Sequence, residues 1–472
     1  MKNPFKSYFC VNLGLIICLL HLSTAIAQTP KDNLKPMTQV ITNSDLSPLE
    51  EGSNWSFHGQ ATYVNQWHPA FRAPYTGQNS LEPSSVSAQT SDFTLYIGRK
   101  LWSGAEFYLN PEIDQGFGFS NTLGLGGFSS GEAYKVGSQD PYFRLPRAFL
   151  RQTIDLGGTP VEIEDGPNQI QTRTTENNVV ITLGKFSVVD IFDTNRYAHD
   201  PRTDFLNWTA VENGAFDYAA DAWGFTNGLA VEWNQDWWTS RSGFFLMSTF
   251  PNYSNIDLSF KQYQLIQEFE ERHEIDGRPG KFKVLGFLSH ANMGSYNDAV
   301  RLANQNGSSP DTALVRSFTN RMGMAINFEQ EITPTLGLFA KASFNDGSKE
   351  TFDFTDVNQS FVLGLSIKGN YWNRHQDTLG IVQIVNGLTS DARNYFGNGG
   401  LGPLIGDGPL GPNQPPGSVM NYGTERISEI FYNMIINKNL ALGGGYQYVV
   451  NPAFNQDRGP VNIFSFRGRV NF

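Results

Sequence analysis

The sequence predicts an all-β fold: a transmembrane antiparallel β-barrel of about 16 strands, or about 18, with short periplasmic turns and long extracellular loops. Three features lead to this prediction. Segments of alternating apolar and polar residues recur along the chain, the connections between them differ strongly in length, and the N-terminus resembles an export signal. A strand that crosses a bilayer needs roughly 9–11 residues, so the chain can form one barrel of this size.

The last strand shows the alternation most clearly. In the segment 464–472, one face carries the aromatic and aliphatic residues and the other face carries Arg467 and Arg469. Successive side chains of a strand point to opposite faces. An arginine-bearing face opposite an aromatic face is typical of a wall between lipid and a wet lumen. A soluble edge strand could show the same alternation, so the prediction depends on the rest of the chain.

The N-terminus has the features of a secretory signal peptide. Lys2 and Lys6 precede the apolar run 11–22, and residues 25–27, Ala-Ile-Ala, provide a cleavage site of small residues. This arrangement predicts removal of residues 1–27. The apolar run is shorter than the roughly 20 residues that a spanning helix needs, which disfavours an uncleaved anchor.

The predicted organisation is a signal peptide (1–27), a flexible leader (28–52) and an outer-membrane β-barrel (53–472). Both cysteines of the chain, Cys10 and Cys18, fall inside the signal peptide. We therefore expect a mature protein without disulfides or thiolate metal sites.

Composition excludes several other classes of protein. The formal net charge is −11, and it becomes −13 when the signal peptide leaves with two lysines and no acidic residue. An acidic chain has no electrostatic attraction for nucleic acid, so no such partner is expected. No stretch after the signal peptide is apolar over the length of a spanning helix, which excludes a helical membrane protein. In a barrel only alternate residues face lipid, and outer-membrane lipid is the expected partner of that face.

Hairpins follow one another from Trp55 onward. The clearest alternating segments are 93–97 with 105–109, 321–329 with 336–343, and 440–448. Strict alternation over such lengths predicts strands rather than helices.

The connections between the predicted strands are of two kinds. Turns at 102–104 and 234–236 are tight, whereas four connections are long and rich in glycine and proline: 116–137, 190–208, 292–312 and 396–418. Short turns at one rim and long loops at the other are typical of outer-membrane barrels.

A barrel of this size encloses a water-filled channel, so its chemistry is the selection of solutes. The alternation places Arg147 and Arg151 on an inner face, as it does Arg467 and Arg469, with Glu106 on the neighbouring hairpin. Guanidinium and carboxylate groups offer several hydrogen bonds in fixed geometry, which suits hydroxyl-rich solutes. Equally, these residues could be solvated lumen residues that pair with nearby acids, and both interpretations are open.

Several segments resemble the carbohydrate-selective porins of the OprB type. The first are Ala73–Leu81, APYTGQNSL, and Leu101–Glu112, LWSGAEFYLNPE. The others follow in the same order along the chain: 131–137, 151–153, 184–187, 192–195, 205–208, 451–454 and 458–461. The resemblance covers nearly all of the mature chain, although the loop 396–418 does not match the family pattern.

The resemblance implies an outer-membrane barrel of a Gram-negative bacterium that passes monosaccharides and similar small polar solutes down their gradient. It also implies a monomer whose loops fold inward to form an eyelet of arginine and glutamate. Carried over to this sequence, it gives as candidates for the constriction Glu106, Glu112, Lys135, Arg147, Arg151 and Trp208. Barrels of this kind are recognised through a terminal aromatic residue, so Phe472 is expected to bind the barrel assembly machinery.

Three other functions stay open: a general diffusion porin, an outer-membrane lipid hydrolase and a structural barrel with a plugged lumen. A hydrolase needs a serine or threonine nucleophile beside a histidine that a third group holds. His290 follows Ser289, but adjacent strand residues point to opposite faces. No nucleophile motif is visible, and no enzyme is predicted.

Loop acids provide the only candidate for a metal. Asp190, Asp193 and Asn195 lie close together and could hold calcium weakly, since calcium takes oxygen ligands from flexible loops. Their spacing does not match an EF-hand, so neither a metal nor a cofactor is predicted.

Overall fold

A computed structural model of the chain describes residues 53–133, 137–408 and 420–472. The predicted signal peptide and leader lie outside the described residues, as do Lys135 and the last part of the loop 396–418. Their roles therefore stay predictions.

The described residues form a closed barrel of sixteen antiparallel strands, which confirms the predicted fold class. The strands are β1 (Trp55–His68), β2 (Val86–Trp102), β3 (Ala105–Gly116), β4 (Ser138–Ile163), β5 (Thr172–Phe186), β6 (Thr226–Asn234), β7 (Trp238–Leu246), β8 (Tyr263–Ile275), β9 (Arg278–Gly294), β10 (Arg316–Thr333), β11 (Leu336–Asn345), β12 (Gln359–Gly369), β13 (Arg374–Gly387), β14 (Glu425–Ile435), β15 (Leu440–Val450) and β16 (Val461–Asn471). Each strand pairs with its neighbours in sequence. The barrel closes where β1 pairs with β16, with Trp67 opposite Phe464.

The two faces of the wall are inverted relative to a soluble protein, as the alternation predicts. On β16, Phe464 is 45% exposed and Phe472 just beyond it is 57% exposed, whereas Arg467 is 4% exposed. On β10, Met322 is 55% exposed beside the fully buried Arg321. Apolar side chains thus cover the outside of the barrel, and charged side chains point into the lumen.

The short and long connections segregate to opposite rims. One rim carries the tight turns 103–104, 235–237, 276–277 and 334–335, and the other carries all the long loops. One short-rim connection differs from the rest, because β4 is 26 residues long and β4 and β5 continue beyond the rim as a hairpin. The alternation of residues does not predict this extension.

The described parts of the long loops contain three helices: α1 (Trp208–Val211), α2 (Tyr296–Asn306) and α3 (Ser390–Gly397). Helix α2 falls in the connection 292–312, which was predicted only as a long loop. It begins after Ser295, whose hydroxyl accepts the N–H of Asp298, and it ends at Gly307 in the left-handed conformation. These are the usual caps of a helix. Within the described ranges, no helix has the length and apolar character needed to cross a membrane.

Single 3-10 turns occupy Phe119–Asn121, Val188–Asp190, Thr312–Val315, Asn370–Trp372 and Pro452–Phe454.

The third long loop, residues 187–225, folds into the lumen, and we call it the inserted loop. All residues from 205 to 222 are buried. Its aromatic rings pack on inward-facing rings of the wall: the Phe205 ring lies 4.8 Å from that of Phe431, and the Phe216 ring lies 5.2 Å from that of Phe287. Burial of these rings stabilises the loop in the lumen, because aromatic side chains bury large apolar areas.

Charged side chains of the wall bind the backbone of the inserted loop. The carboxylate of Glu429 accepts the N–H groups of Leu206 and Asn207, at 2.7 and 2.9 Å. The ammonium of Lys341 donates to the carbonyls of Ala198 and Val211, at 3.0 and 2.7 Å. A buried loop leaves backbone groups without water, and these charges satisfy them. The loop is therefore fixed by the lumen wall rather than by secondary structure of its own.

Candidate pore constriction

A cavity of about 310 Å³ lies between the inserted loop and the inner wall of β2 to β4, and we call it the constriction cavity. Among the predicted residues that the structure describes, three line it: Glu112, Arg147 and Trp208. The other polar and aromatic lining groups include Tyr96, Glu132, Asn168, Asp190, His199, Asp200, Arg202, Glu212 and Tyr218. The cavity thus combines hydrogen-bond donors and acceptors with aromatic rings.

Arg147 joins the wall to the start of the inserted loop. Its Nε and Nη2 donate to the two carboxylate oxygens of Asp190, at 2.7 and 2.6 Å. Burial by itself would raise the pKa of Asp190, but the charge and hydrogen bonds of Arg147 outweigh it, and the pKa lies below its usual value. The carboxylate also accepts the N–H of Ser187, which closes a 3-10 turn. A bidentate pair of this kind fixes both the distance and the orientation of its partners.

Arg202 enters the cavity from the inserted loop and faces three acids. Its Nε lies 3.2 Å from Glu132, and its Nη2 lies 3.5 Å from Asp92 and 3.9 Å from Glu112. Glu112 also accepts the hydroxyl hydrogen of Thr94, at 2.6 Å. The alternation did not predict a role for Arg202, since it gives no information about residues in a loop.

Two acids of the cavity, Glu132 and Glu212, favour their neutral form. Burial raises the pKa of Glu132 to about 8, although Arg202 opposes the shift. Burial, followed by repulsion from Asp193, raises the pKa of Glu212 well above its usual value. The cavity therefore carries less net negative charge than a count of its carboxyl groups indicates.

Aromatic rings form the remaining side of the cavity. Trp208 stacks on Phe128 and on Phe354, with ring centres 5.2 and 5.8 Å away, and it is 3% exposed. Tyr218 stacks on the same Phe354 ring, at 4.9 Å. Because the indole is almost fully buried, Trp208 gives the cavity its shape rather than an open stacking surface.

Glu106 and Arg151 lie outside the lining of the constriction cavity, closer to the short-turn rim. The Tyr108 hydroxyl donates to Glu106, at 2.6 Å, and the Arg151 guanidinium lies 5.1 Å from the centre of the Tyr108 ring. Arg151 also donates to the carbonyl of Asn168, at 2.9 Å.

Arg467 and Arg469 point inward from β16, but they do not line the cavity. Arg467 donates to the carbonyls of Pro201 and Asp204 in the inserted loop. Arg469 donates to the side chain of Gln60, at 2.8 Å. Control of solute passage by any of the predicted residues stays a prediction.

The residues considered for a calcium site and for a hydrolase site form hydrogen bonds with other partners. Asp193, considered for calcium, accepts the side-chain amides of Asn213 and Asn327, at 2.6 and 2.8 Å. In the ranges that the structure describes, no group of three or more His, Cys, Asp or Glu side chains is arranged to hold a metal ion. Ser289 accepts from Gln264 at 2.8 Å, whereas His290 bonds to Asn320, at 2.7 Å.

A second cavity, of about 730 Å³, lies nearer the short-turn rim beside β8 to β10. It is lined by the start of the inserted loop and by wall residues that include Arg272, Lys281, Lys283 and Glu329. We place the candidate constriction in the smaller cavity, because most of the larger one is bounded by turn and rim residues.

Comparisons with known proteins give a family and a fold. Residues 78–472 match the family described as "Carbohydrate-selective porin, OprB family". The chain is similar to the high-pH structure of Pseudomonas putida OprB, with 15% identity and a TM-score of 0.67 over 89% of this chain and 94% of that chain. It is also similar to the outer membrane channel DcaP of Acinetobacter baumannii, with 9% identity and a TM-score of 0.48 over 89% and 97% of the two chains. A search of curated proteins gave no match.

The structural likeness shows the barrel fold, and the sequence match extends over most of the chain and all of the strands after β1. The chain therefore belongs to the OprB family of carbohydrate-selective porins, which are outer-membrane barrels of Gram-negative bacteria.

Proposed function

We propose that this porin passes monosaccharides and similar small polar solutes down their gradient through the constriction cavity, and that it does so without bond-making chemistry. The observation that carries the proposal is the pairing of Arg147 with Asp190 and of Arg202 with Glu132 and Glu112 inside one cavity. A sugar hydroxyl both donates and accepts hydrogen bonds. A wall that presents guanidinium N–H groups beside carboxylate oxygens can satisfy both roles.

The pairing of the charges also favours neutral solutes. Arg147 lies within 2.7 Å of the Asp190 carboxylate, and Arg202 lies 3.5 and 3.9 Å from the carboxylates of Asp92 and Glu112, so the opposite charges largely cancel each other's field. An ion that enters must leave water without a strong opposite charge to receive it, which costs free energy. A neutral sugar exchanges its hydrogen bonds with water for hydrogen bonds with the wall.

Three further parts of the proposal concern partners. The apolar outer face contacts outer-membrane lipid, the protein acts as a monomer, and Phe472 is the residue through which the barrel assembly machinery recognises the chain. The 57% exposure of Phe472 at the end of the lipid-facing row supports the last part.

The test is a liposome-swelling assay on the purified protein, with glucose compared with a zwitterion of equal size. We expect glucose to enter several times faster. Equal rates for both solutes would favour a general diffusion porin, and the absence of any flux would favour a structural barrel. Either result would contradict the proposal.

A further inference from the structure

The hairpin between β4 and β5 continues beyond the barrel wall. β4 pairs with β3 only as far as Gln152, and β5 pairs with β6 only from Asn178 onward. The part of the hairpin formed by residues 154–177 therefore has no strand on either side, and residues 154–160 are exposed. An isolated pair of strands is marginally stable in water, so other contacts must hold it.

The hairpin bends sharply near its base. Gly157 and Gly158 both have φ of 97°, and the strand register shifts on both sides of Gly157. Glycine adopts this conformation without steric cost, and bulges of this kind bend a strand. The Asp155 carboxylate accepts the hydroxyl of Thr174 at 2.6 Å and the N–H of Thr175 at 3.0 Å, which fixes the bend.

Beyond the bend, residues 164–171 re-enter the lumen, and we call them the hairpin tip. Asn168 and Asn110 of β3 form a reciprocal amide pair, at 2.7 and 3.0 Å. Ile170 is 1% exposed and donates its N–H to the Tyr108 hydroxyl, at 3.2 Å. Asn110 lies five residues from the start of β3, so at about 3.3 Å per residue the tip contacts β3 about 16 Å along the strand from the short-turn rim.

Two more contacts tie the tip to separate strands of the wall. Arg151 of β4 donates to the Asn168 carbonyl at 2.9 Å, and Asp165 lies 2.9 Å from the ring of His58 on β1. The tip thus spans the inner wall from β1 to β4. As a consequence, Asn168 lines the constriction cavity together with Glu112 and Arg147.

On the basis of the proposed function, we propose that the hairpin tip is a specificity-determining element on the periplasmic side of the constriction, where the Asn168 amide binds neutral polyhydroxy solutes. The reciprocal pair with Asn110 uses one donor and one acceptor of the amide. One N–H and one lone pair stay available for a solute hydroxyl. Because an amide has no charge, it adds hydrogen bonds for sugars without attracting ions.

The first test is Asn168→Gly in the swelling assay. Asn168 has φ of 55°, which glycine adopts without strain, so the variant removes the amide and leaves the turn. We expect the ratio of glucose flux to zwitterion flux to fall about fivefold, as the loss of one hydrogen bond predicts. The matched control is Thr159→Ala in the exposed part of the same hairpin, which should keep the wild-type ratio.

The second test introduces a single thiol, since both cysteines of the chain, Cys10 and Cys18, lie in the predicted signal peptide. A bulky, charged thiol reagent should reduce the single-channel current of Asn168→Cys at least twofold and leave that of Thr159→Cys unchanged. Full current through the labelled Asn168→Cys channel would contradict a tip that lies in the path.

The ratio of glucose flux to zwitterion flux in the wild-type protein distinguishes a failure of the proposed function from a failure of this inference. A wild-type ratio of one contradicts the proposed function and this inference with it. A wild-type ratio above one that survives Asn168→Gly contradicts this inference alone.

Discussion

The guanidinium of Arg147 and the carboxylate of Asp190 connect the barrel wall to the inserted loop through two hydrogen bonds, 2.7 and 2.6 Å long. The same pattern of a wall charge bound to a loop group recurs at Glu429, at Lys341 and at Arg467. These charges therefore hold the loop in place, and the loop in turn supplies most of the lining of the constriction cavity. Substitutions of these wall residues should alter conductance without altering the fold of the barrel.

Replacing Arg147 and Arg151 together by alanine should raise single-channel conductance and weaken block by sugars. The change removes the counter-ion of Asp190 and the donor to the Asn168 carbonyl. Breaking a buried pair costs about 3–5 kcal/mol, which is enough to loosen the loop. The measurement is conductance in planar bilayers, with the exposed Arg99→Ala as control. An unchanged channel would mean that the filter lies elsewhere.

Glu429→Ala should release the inserted loop next to Trp208. The carboxylate accepts two N–H groups, and each hydrogen bond to a charged group contributes roughly 1.5–3 kcal/mol. We expect higher conductance and cleavage of the folded barrel by protease within residues 187–225. Ser428→Ala, on the opposite face of the same strand, is the matched control. Protease resistance and wild-type conductance in Glu429→Ala would show that the apolar packing alone holds the loop.

Ion selectivity should depend on pH through Asp204. Burial, and then repulsion by Asp200, raises the pKa of this loop carboxyl to about 6. As the pH rises through this value the group loses its proton and adds a negative charge to the lumen. The permeability ratio of K⁺ over Cl⁻, measured from reversal potentials, should therefore increase between about pH 5 and about pH 7.5. In Asp204→Asn the increase should be smaller, and an identical pH curve would rule out Asp204 as its source.

Deletion of Phe472 should lower the yield of folded barrel, as assayed by heat-modifiable mobility on gels. Phe472 exchanges two backbone hydrogen bonds with Gly59 of β1, at 2.8 and 2.9 Å, so the deletion removes part of the closing seam as well as the ring. Phe472→Ala keeps the backbone bonds and removes only the ring. An equal loss in both variants assigns the effect to the ring, and normal insertion of both would contradict recognition through this residue.

Alternation predicted the strands and their faces because successive side chains of a strand point to opposite sides. The polarity of each residue therefore indicates which side of the wall it faces. Met322 and Arg321 are adjacent in sequence and lie on opposite sides of the wall. The same pattern placed Arg467 in the lumen, but it could not show that the lumen at that level is filled by Pro201 and Asp204.

The course of the inserted loop could not be predicted from local sequence. Its position depends on contacts such as that between Glu429 and Leu206, which are 223 residues apart. Arg202 lies in this loop, where no strand pattern indicates an orientation, so its position in the cavity could not be predicted either. The hairpin tip left one local signal, the adjacent pair Gly157-Gly158, but a glycine pair indicates a bend without indicating its direction.

Titration of the wild-type single-channel current with glucose tests most directly that sugars pass through the constriction cavity. A dextran too large to enter the barrel serves as the control for viscosity. We expect the current to fall and to saturate, with half of the effect in about the millimolar range, because binding must be weak enough for the solute to leave. A current that follows the dextran control at every glucose concentration would contradict a sugar-binding constriction.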